Sequence, residues 1–431
     1  MLGEYKTHIN GKFPFLSKAK LLLGCSGGVD SMVLAHLLLQ SGCSFAMAHC
    51  NYKLRGKASD NDEIFVHKWA KAHSLPYYVK VFDLNGQSGS IQLKARNLRY
   101  DWFHQLAKKE GFEYILTAHH ADDSLETFLI NLSRGTGIDG LSGIPEANNK
   151  VVRPMLTFTR SDIVAFAKKN RIEWREDVSN EELKYTRNVV RHKISTQLKK
   201  LTPWFMESFL KTQRHLRVSS QLLDDYREGL QAQLFKEQEG HIAIAIAELE
   251  RLHPVKGYLY FLFKEFGFTQ WDDIVGLLTA QSGKEVRSSS HRLIRNRAEL
   301  LLCPIALFDG QEIILGDGVT SIAEGATMVL EMVDTLSEPT PCTVFVDNEK
   351  LNYPLKLRKW KIGDYFYPLG MRGRKKLSKF FKDERYSTIQ KERQWLLCSN
   401  DDIVWVVGKR LDDRFKVTER TKTILKLTCN S

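Results

Sequence analysis

A glycine-containing loop lies between a short apolar run and an apolar helical pattern near the N-terminus. It consists of Ser26, Gly27, Gly28, Val29, Asp30 and Ser31. The two glycines let the backbone turn tightly, and a helix N-terminus adds unpaired N–H groups and a positive dipole end. We therefore expect the loop to bind an anion. Asp30 would repel that anion by itself, so we expect Mg²⁺ to bridge its carboxylate to phosphate oxygens.

Two better-known glycine motifs do not apply. The loop lacks the lysine of a Walker A sequence. Residues 135–140, GTGIDG, have the spacing of a dinucleotide site, but they follow a predicted helix where such a site needs a strand. We expect residues 135–140 to shape a loop beside the active cleft.

Two pairs of charged residues have helical spacing. Asp123 and Glu126 are three positions apart, as are Arg96 and Arg99, so each pair lies on one face of its predicted helix. Each pair also has a purely structural interpretation. The carboxylates could be a solvent-facing pair near a helix N-terminus, and the arginines could form surface salt bridges.

The elements that must position these residues alternate between strands and helices. Short apolar runs predict strands at 20–25, 44–49, 76–82 and 114–118. Amphipathic runs predict helices at 31–40, 61–73, 90–109 and 122–132. Such alternation is typical of βαβ units, so the pattern predicts an α/β fold with a mainly parallel, doubly wound sheet.

The length of 431 residues suggests two or three domains. After Pro203 the pattern changes to a long amphipathic helical stretch, and SEPTP at 337–341 is typical of a linker. We predict a catalytic domain at 1–200, a helical linker and middle domain at 201–335, and a small basic β-containing domain at 350–431.

The charge is concentrated in the tail. Residues Leu351–Ser431 contain 20 basic and 9 acidic residues, whereas the rest of the chain contains 43 and 42. A second basic stretch lies at 185–218. Two such regions favour a nucleic-acid partner over solvated surface. The candidate nucleic-acid contacts are Arg187, Arg191, Arg372, Arg374, Lys375, Lys376 and Lys379.

Composition excludes several classes of protein. The seven cysteines are scattered and form no CxxC pair, which argues against a disulfide scaffold or a four-cysteine metal site. No run of 18 apolar residues and no signal-peptide pattern is present. We therefore expect a cytoplasmic protein with no membrane partner.

The SGG-x-DS loop resembles the signature of the N-type ATP pyrophosphatases, or PP-loop enzymes. Further segments resemble the tRNA(Ile)-lysidine synthetase family and occur in its order. They are HCNYKLRG at 49–56, ARNLRY at 95–100, TAHHADDSLET at 117–127, RPML at 153–156, DVSN at 177–180, YTRN at 185–188 and the tail segment 358–381. This sequence has Cys50-Asn51-Tyr52 where members of the family often carry Val-Asn-His.

The resemblance implies a reaction and a set of residue roles. With Mg²⁺ at Asp30, ATP would adenylate the carbonyl oxygen on carbon 2 of the wobble cytidine in a tRNA(Ile) with a CAU anticodon. Free L-lysine would then replace AMP, and pyrophosphate is the other product. Asp123 and Glu126 would bind the ammonium groups of lysine, while Arg96 and Arg99 would neutralise the phosphates or the adenylated oxygen.

Other residues and functions stay open at this point. Arg55 is a weaker candidate of the same kind as the two arginines. Of His119 and His120, at most one is expected to face the nucleotide, because neighbours at a strand end point in opposite directions. The alternative functions are a PP-loop tRNA thiolation enzyme and a non-catalytic tRNA-binding protein.

Overall fold

The N-terminal unit of the computed structural model, Met1–Tyr226, is built on a six-stranded sheet. The structure describes residues 1–84, 91–176, 186–238, 240–305, 312–316, 319–321, 327–338 and 340–430. The sheet contains β1 (Leu21–Gly24), β2 (Phe45–Asn51), β3 (Tyr77–Val81), β4 (Tyr114–Leu116), β5 (Ala147–Asn148) and β6 (Val151–Val152). Its order is β3-β2-β1-β4-β6-β5, and only the β5–β6 pair is antiparallel. The predicted mainly parallel sheet is confirmed.

Helices cover both faces of this sheet. They are α1 (Leu2–Lys12), α2 (Val29–Gln40), α3 (Lys57–Ala72), α4 (Ile91–Glu110), α5 (Ala121–Ser133), α6 (Ile138–Leu141) and α7 (Arg160–Lys169). Side chains alternate along β1, so Leu21 and Leu23 pack into one apolar cluster and Leu22 into another. The sheet is therefore doubly wound.

The end of β1 approaches α4 closely. A Cβ atom built on Gly24 would lie 2.6 Å from Cε2 of Phe103, a buried residue of α4. A separation this short is not compatible with a side chain unless Phe103 moves. Glycine at position 24 therefore lets α4 pack directly against the strand that carries the 26–31 loop.

A run of short helical turns leads into a long helix. The turns are α8 (Thr186–Val189), a π-helical turn (Val190–Ser195) and α9 (Thr196–Leu201), and the long helix is α10 (Phe205–Leu234). This helix corresponds to the amphipathic stretch predicted after Pro203. The division between the two units of the chain falls within α10, between Tyr226 and Arg227.

The second unit, Arg227–Ser431, begins with an antiparallel sheet of order β7-β8-β11-β10-β9. Its strands are β7 (Lys236–Gln238), β8 (His241–Ala245), β9 (Glu285–Arg287), β10 (His291–Asn296) and β11 (Glu299–Pro304). Three helices pack with it: α11 (Ile246–Glu250), α12 (Val255–Phe263) and α13 (Trp271–Leu277). The middle region is thus helical at its start and also contains this sheet.

The rest of the second unit is mostly β-structure. The small β-containing domain predicted for the tail is confirmed, and further strands occur at 313–333, within the predicted helical linker and middle domain. One sheet has the order β12-β16-β19-β20-β21, and another has the order β13-β14-β22-β15. Their strands are β12 (Ile313–Ile314), β13 (Val319–Ser321), β14 (Thr327–Val333), β15 (Thr343–Asp347), β16 (Leu355–Lys359), β19 (Trp395–Ser399), β20 (Asp402–Val406), β21 (Arg410–Leu411) and β22 (Ile424–Asn430). A two-stranded ribbon, β17 (Tyr365–Phe366) and β18 (Lys375–Lys376), precedes α14 (Leu377–Asp383) and α15 (Thr388–Arg393). In the described part of the chain, no helix has the length and apolar character needed to cross a membrane.

Candidate functional site

The order of the strands brings two loops together at one edge of the sheet. β1 pairs in parallel with both β2 and β4, and the chain reverses its direction of winding between β1 and β4. Ligands bind at such a switch point, outside the carboxyl ends of the strands. The loop at 25–28 and the segment at 117–120 therefore form the candidate site.

The 26–31 loop has a backbone shape that requires glycine. Gly27 has a φ of +86°, and a Cβ atom there would lie 3.2 Å from Cγ2 of Val66. Gly28 precedes the first residue of α2, and no side chain caps that helix. The Ser31 hydroxyl donates to the Gly28 carbonyl at 2.9 Å. The first turn of α2 thus presents backbone N–H groups to an anion.

Neighbouring elements hold the loop in place through its carbonyl groups. The backbone N–H of Arg175 donates to the Gly27 carbonyl at 2.9 Å. On β2, the buried His49 donates from Nδ1 to the Cys25 carbonyl at 2.9 Å. Burial lowers the pKa of His49, which keeps the ring neutral at physiological pH.

Asp30 lies at the start of α2 and faces α5 and α7. Its Oδ2 accepts a hydrogen bond from Nη1 of Arg160 at 2.9 Å. Its Oδ1 is buried, has no hydrogen-bond partner among the described residues and lies 3.7 Å from Nε2 of His120. An unpaired carboxylate oxygen suits Mg²⁺, which takes one or two protein carboxylates together with substrate phosphates.

His120 is buried among three carboxylates. Its ring nitrogens lie 3.7 Å from Asp30, 3.6 Å from Asp122 and 3.6 Å from Asp123. Burial by itself would lower the pKa of His120, but Asp123 and the other two carboxylates raise it above its ordinary value. The three carboxylates therefore favour the protonated, positively charged form of His120.

Asp122 contacts two elements that follow α5 in the sequence, α7 and α9. It pairs with the ammonium group of Lys199 on α9 and accepts from the backbone N–H of Arg160 at 2.8 Å. Burial opposes ionisation, but the nearby His120 ring and the ammonium group of Lys199 hold the pKa of Asp122 well below its ordinary value. Asp122 is thus a permanently charged structural anchor.

The acidic pair of α5 is buried and paired with two arginines. Nε of Arg187 donates to Glu126 at 2.8 Å, and its Nη2 donates to Asp123 at 3.1 Å. Nε of Arg191 donates to Glu126 at 2.6 Å, and its Nη2 lies 3.5 Å from Asp123. Residues predicted to bind lysine and residues predicted to bind tRNA thus contact one another in this structure. Both roles stay predictions.

Burial and neighbouring charges also set the protonation states of Asp123 and His119. Burial would raise the pKa of Asp123, but the positive neighbours His120 and Arg187 lower it, so Asp123 is ionised at neutral pH. Burial, with Arg153 and Arg187 nearby, lowers the pKa of His119 to about 3. His119 is therefore neutral, and its Nδ1 lies 2.9 Å from the Thr117 hydroxyl.

Arg96 and Arg99 lie on the exposed side of α4. Arg99 donates from Nε to the Tyr52 hydroxyl at 3.1 Å, and that hydroxyl donates to the Ala95 carbonyl at 3.0 Å. Arg96 packs over the ring of Tyr100 at 5.1 Å. Tyr52, which stands where the resembling family often has histidine, therefore orients Arg99.

Arg55 shares an anchor with Arg175. Nη2 of Arg55 donates to the buried Asp62 at 2.7 Å, and Nε of Arg175 donates to the same carboxylate at 3.2 Å. Arg175 also holds the Gly27 carbonyl through its backbone. The structure thus connects Arg55 to the loop through α3.

The predicted tRNA contacts of the tail lie on the β17–β18 ribbon and α14. Arg372, Arg374, Lys376 and Lys379 are exposed. Arg374 packs over the ring of Tyr365 at 5.4 Å, whereas Lys375 forms an ion pair with Asp383 at 2.7 Å. Four of the five basic side chains are therefore on the surface.

Sequence reasoning missed several residues that complete the site. Arg160 contacts the predicted Asp30, and Tyr52 contacts the predicted Arg99, but neither was itself a candidate site residue. Lys199 pairs with Asp122, which is adjacent to the predicted Asp123. The quoted segment DVSN at 177–180 and Tyr185 lie outside the described residues. The other segments quoted for the catalytic domain all lie within the described N-terminal unit.

The parallel sheet with a glycine loop after β1 and an uncapped helix start defines the PP-loop class. A family model described as a PP-loop domain matches residues 4–198. Two further models, a TilS substrate binding domain and a TilS substrate C-terminal domain, match residues 237–305 and 355–428.

Named relatives extend this match over nearly the whole chain. The tRNA(Ile)-lysidine synthase of Parabacteroides distasonis is 37% identical over 425 residues, covering 96% of each chain. The synthases of Bacteroides thetaiotaomicron and Porphyromonas gingivalis are 33% and 34% identical, covering 97% and 94% of this chain and 97% and 92% of theirs. The chain belongs to the tRNA(Ile)-lysidine synthase family of ligases, as the sequence segments predicted.

Proposed function

We propose that this chain joins L-lysine to carbon 2 of the wobble cytidine in a tRNA(Ile) with a CAU anticodon, using ATP and releasing AMP and pyrophosphate. The observation that carries the proposal is that the 26–31 loop and the acidic N-terminal half of α5 meet at one switch point. The similarity to named synthases over almost the whole chain supports the same reaction.

The proposed chemistry needs an activated oxygen and a neutral amine. The carbonyl at carbon 2 of cytidine is urea-like and a poor electrophile, so adenylation of its oxygen provides the leaving group. The ε-amine of lysine has a pKa of about 10.4 and must lose a proton before it attacks. The site must therefore bind phosphate, bind an ammonium group and stabilise developing charge.

The 26–31 loop would bind the phosphates of ATP through the backbone amides at the start of α2. Mg²⁺ would be held by Oδ1 of Asp30, where it would neutralise phosphate charge when bound. Arg96 and Arg99 would neutralise the remaining charge on the phosphates or on the adenylated oxygen. Tyr52 would keep Arg99 in position for this role.

Asp123 and Glu126 would bind the ammonium groups of lysine. Two observations support this: both carboxylates are buried, and both already attract cations, namely Arg187 and Arg191. The lowered pKa of Asp123 keeps it ionised, which suits binding an ammonium group better than accepting its proton. A lysine bound here would either share the two carboxylates with the guanidinium groups of Arg187 and Arg191 or displace those groups.

The basic tail would bind the tRNA backbone. Arg372, Arg374, Lys376 and Lys379 are exposed on adjacent elements, and phosphate contacts of this kind position an RNA without reading its sequence.

The alternative function, sulfur transfer to tRNA, is less well supported. Cys25 lies beside the loop, but burial raises the pKa of its thiol and disfavours the thiolate.

The direct test is transfer of labelled lysine to RNA. The full chain is incubated with ATP, Mg²⁺, labelled lysine and a CAU-anticodon tRNA(Ile) transcript, with the related methionine tRNA as a comparison. We expect label in the isoleucine tRNA and not in the methionine tRNA. RNA binding without transfer of label would refute the catalytic proposal and favour a non-catalytic tRNA-binding protein.

A substitution separates catalysis from RNA binding. Asp30→Asn removes the charge proposed to hold Mg²⁺, so we expect pyrophosphate release to fall at least about 100-fold while tRNA affinity stays within about twofold. Asp101→Asn, which changes an exposed carboxylate on α4, is the matched control and should leave both unchanged. Equal loss of activity and affinity in Asp30→Asn would indicate a structural role.

A further inference from the structure

Two cysteines face each other where the tail domain begins and ends. Cys342 immediately precedes β15, and Cys429 lies near the end of β22. The antiparallel ladder pairs Thr343 with Thr428, which places Cys342 opposite Cys429. The backbone N–H of Cys429 donates to the Cys342 carbonyl at 2.9 Å, so the ladder extends to this pair.

The two thiols are also close neighbours. Cys429 lies on β22 and packs against the apolar cluster that contains Leu427. Cys342 lies in the turn directly before β15, close enough to Cys429 for its charge to raise the pKa of the Cys429 thiol. Opposed residues in a hydrogen-bonded antiparallel pair have Cα atoms about 5.5 Å apart. A disulfide needs about 4.4–6.8 Å between Cα atoms, so the backbone already permits one.

The two thiols differ in exposure. Cys342 is exposed and Cys429 is half-buried, and both are free thiols. Burial and the neighbouring Cys342 raise the pKa of the Cys429 thiol. Among the other cysteines, Cys50 on β2 is partly exposed and the remaining four are buried. A soluble oxidant therefore reaches Cys342 more easily than any other thiol in the chain.

We propose that Cys342 and Cys429 are a thiol-oxidation site at which a peroxide forms a reversible disulfide. The Cys342 thiolate attacks one peroxide oxygen, the O–O bond breaks, and the products are a sulfenic acid on Cys342 and one water. The Cys429 thiolate then attacks the Cys342 sulfur and displaces the hydroxyl as a second water. The two thiols lose two electrons and two protons in total, and the peroxide is reduced to two waters.

The disulfide would enclose nearly all of the basic tail domain. Residues 343–428 lie between the two cysteines and contain the exposed basic residues of the β17–β18 ribbon and α14. Closing so long a loop restricts the unfolded chain and stabilises the folded domain. The bond would lie within the second unit of the chain, whereas the 26–31 loop belongs to the first.

The experiment treats the full chain with a small molar excess of hydrogen peroxide and maps its peptides by mass spectrometry without reduction. We expect one cross-linked species that joins the peptides of Cys342 and Cys429, is lighter by two hydrogens and disappears on reduction. We also expect proteolysis of the tail domain to slow at least about tenfold after oxidation. Cys342→Ser should abolish both effects, whereas Cys43→Ser, which changes a buried thiol in the other unit, should not.

Other products would overturn the proposal. A stable sulfenic or sulfinic acid on Cys342 would show that Cys429 cannot reach it. An intermolecular Cys342 disulfide or a cross-link to Cys50 would show that the ladder does not set the pairing. Cys429→Ser provides an independent check, because it should lose the cross-link but retain oxidation of Cys342.

Discussion

His119 and His120 show how strongly charge differs between adjacent residues of the site. The three carboxylates around His120 raise its pKa, whereas burial near Arg153 and Arg187 lowers the pKa of His119. The His120 ring lies 3.6–3.7 Å from Asp30, Asp122 and Asp123, whereas His119 lies beside the Thr117 hydroxyl. The structure thus identifies His120 as the residue that faces Asp30, and which ring meets the nucleotide stays a prediction.

The lowered pKa of His119 predicts how stability depends on pH. In the unfolded chain the ring binds a proton below about pH 6.5, but the folded protein resists protonation until about pH 3. The unfolded state therefore binds more protons in this range, and stability falls as the pH falls, by up to about 1.4 kcal/mol per pH unit from this group.

His119→Asn should remove that dependence. We expect the free energy of unfolding of the variant to fall less between pH 6.5 and 5 than that of the wild type, as measured by denaturant titration. His67→Asn, which changes an exposed histidine on α3, is the control. A variant with the same pH dependence as the wild type would contradict the assignment of a neutral His119.

Glu126 provides a second test at the scale of one side chain. It is buried and accepts hydrogen bonds from Arg187 and Arg191, which are themselves partly exposed. Glu126→Gln keeps the shape but removes the charge that both arginines share. Because solvent screens the exposed ends of these arginines, we expect a loss of about 2 kcal/mol in the free energy of unfolding.

The matched comparison is a double-mutant cycle. Arg191→Met should cost less in the Glu126→Gln background than in the wild type, since the pair is already broken. Additive losses in denaturant titrations would show that the two groups do not interact in solution.

At the scale of elements, local patterns predicted well what local sequence determines. Strands β1 to β4 and helices α2 to α5 fall close to their predicted positions, because apolar periodicity and glycine turns act over few residues. The middle sheet was harder to predict. Strands such as β7 and β9 have three residues each, too short for a reliable period, and depend on partners elsewhere in the chain.

The ion pairs between elements could not have been predicted. Arg187 and Glu126 lie 61 positions apart, and Arg160 and Asp30 lie 130 positions apart. Spacing within a helix shows which residues share a face, but it does not identify the element that packs against that face. For this reason the basic stretch at 185–218 predicted tRNA contacts for Arg187 and Arg191, which stay a prediction, but did not indicate that both arginines contact Glu126.

The 26–31 loop allows a prediction about backbone shape. Gly27→Ala should lower the rate of pyrophosphate release at least about tenfold, because an L side chain is strained at a φ of +86° and meets Val66. Gly42→Ala is the matched control: its φ is +70°, but its Cβ would meet nothing within 4 Å.

The two glycine variants should therefore behave differently. Both should lose about 1 kcal/mol of stability in thermal or denaturant unfolding, and only Gly27→Ala should lose activity. Equal activity of the two variants would contradict a requirement for the loop geometry.

At the scale of the whole molecule, charge is divided between a nearly neutral body and a basic tail. This division predicts a steep salt dependence of tRNA binding, because each phosphate contact releases counterions. Arg374→Ala should weaken tRNA binding about three- to tenfold and reduce the slope of log affinity against log salt by about one.

Two controls sharpen this measurement. Lys6→Ala, which changes an exposed residue of α1, should leave the slope unchanged. Lys375→Ala should have a smaller effect than Arg374→Ala, because Lys375 is already paired with Asp383. If Arg374→Ala leaves this slope unchanged in filter-binding titrations, the RNA does not contact the β17–β18 ribbon.

The close approach of Gly24 to Phe103 also affects the far side of the active cleft. Phe103 is on the helix that carries Arg96 and Arg99, so the missing methyl group at position 24 sets the position of the helix from which both guanidinium groups would reach the nucleotide in the proposed reaction. The methyl group of an alanine at that position would clash with the Phe103 ring and push α4 away from β1, without contacting any charged residue. Enzyme chemistry would then depend on the size of a side chain that never meets the substrate.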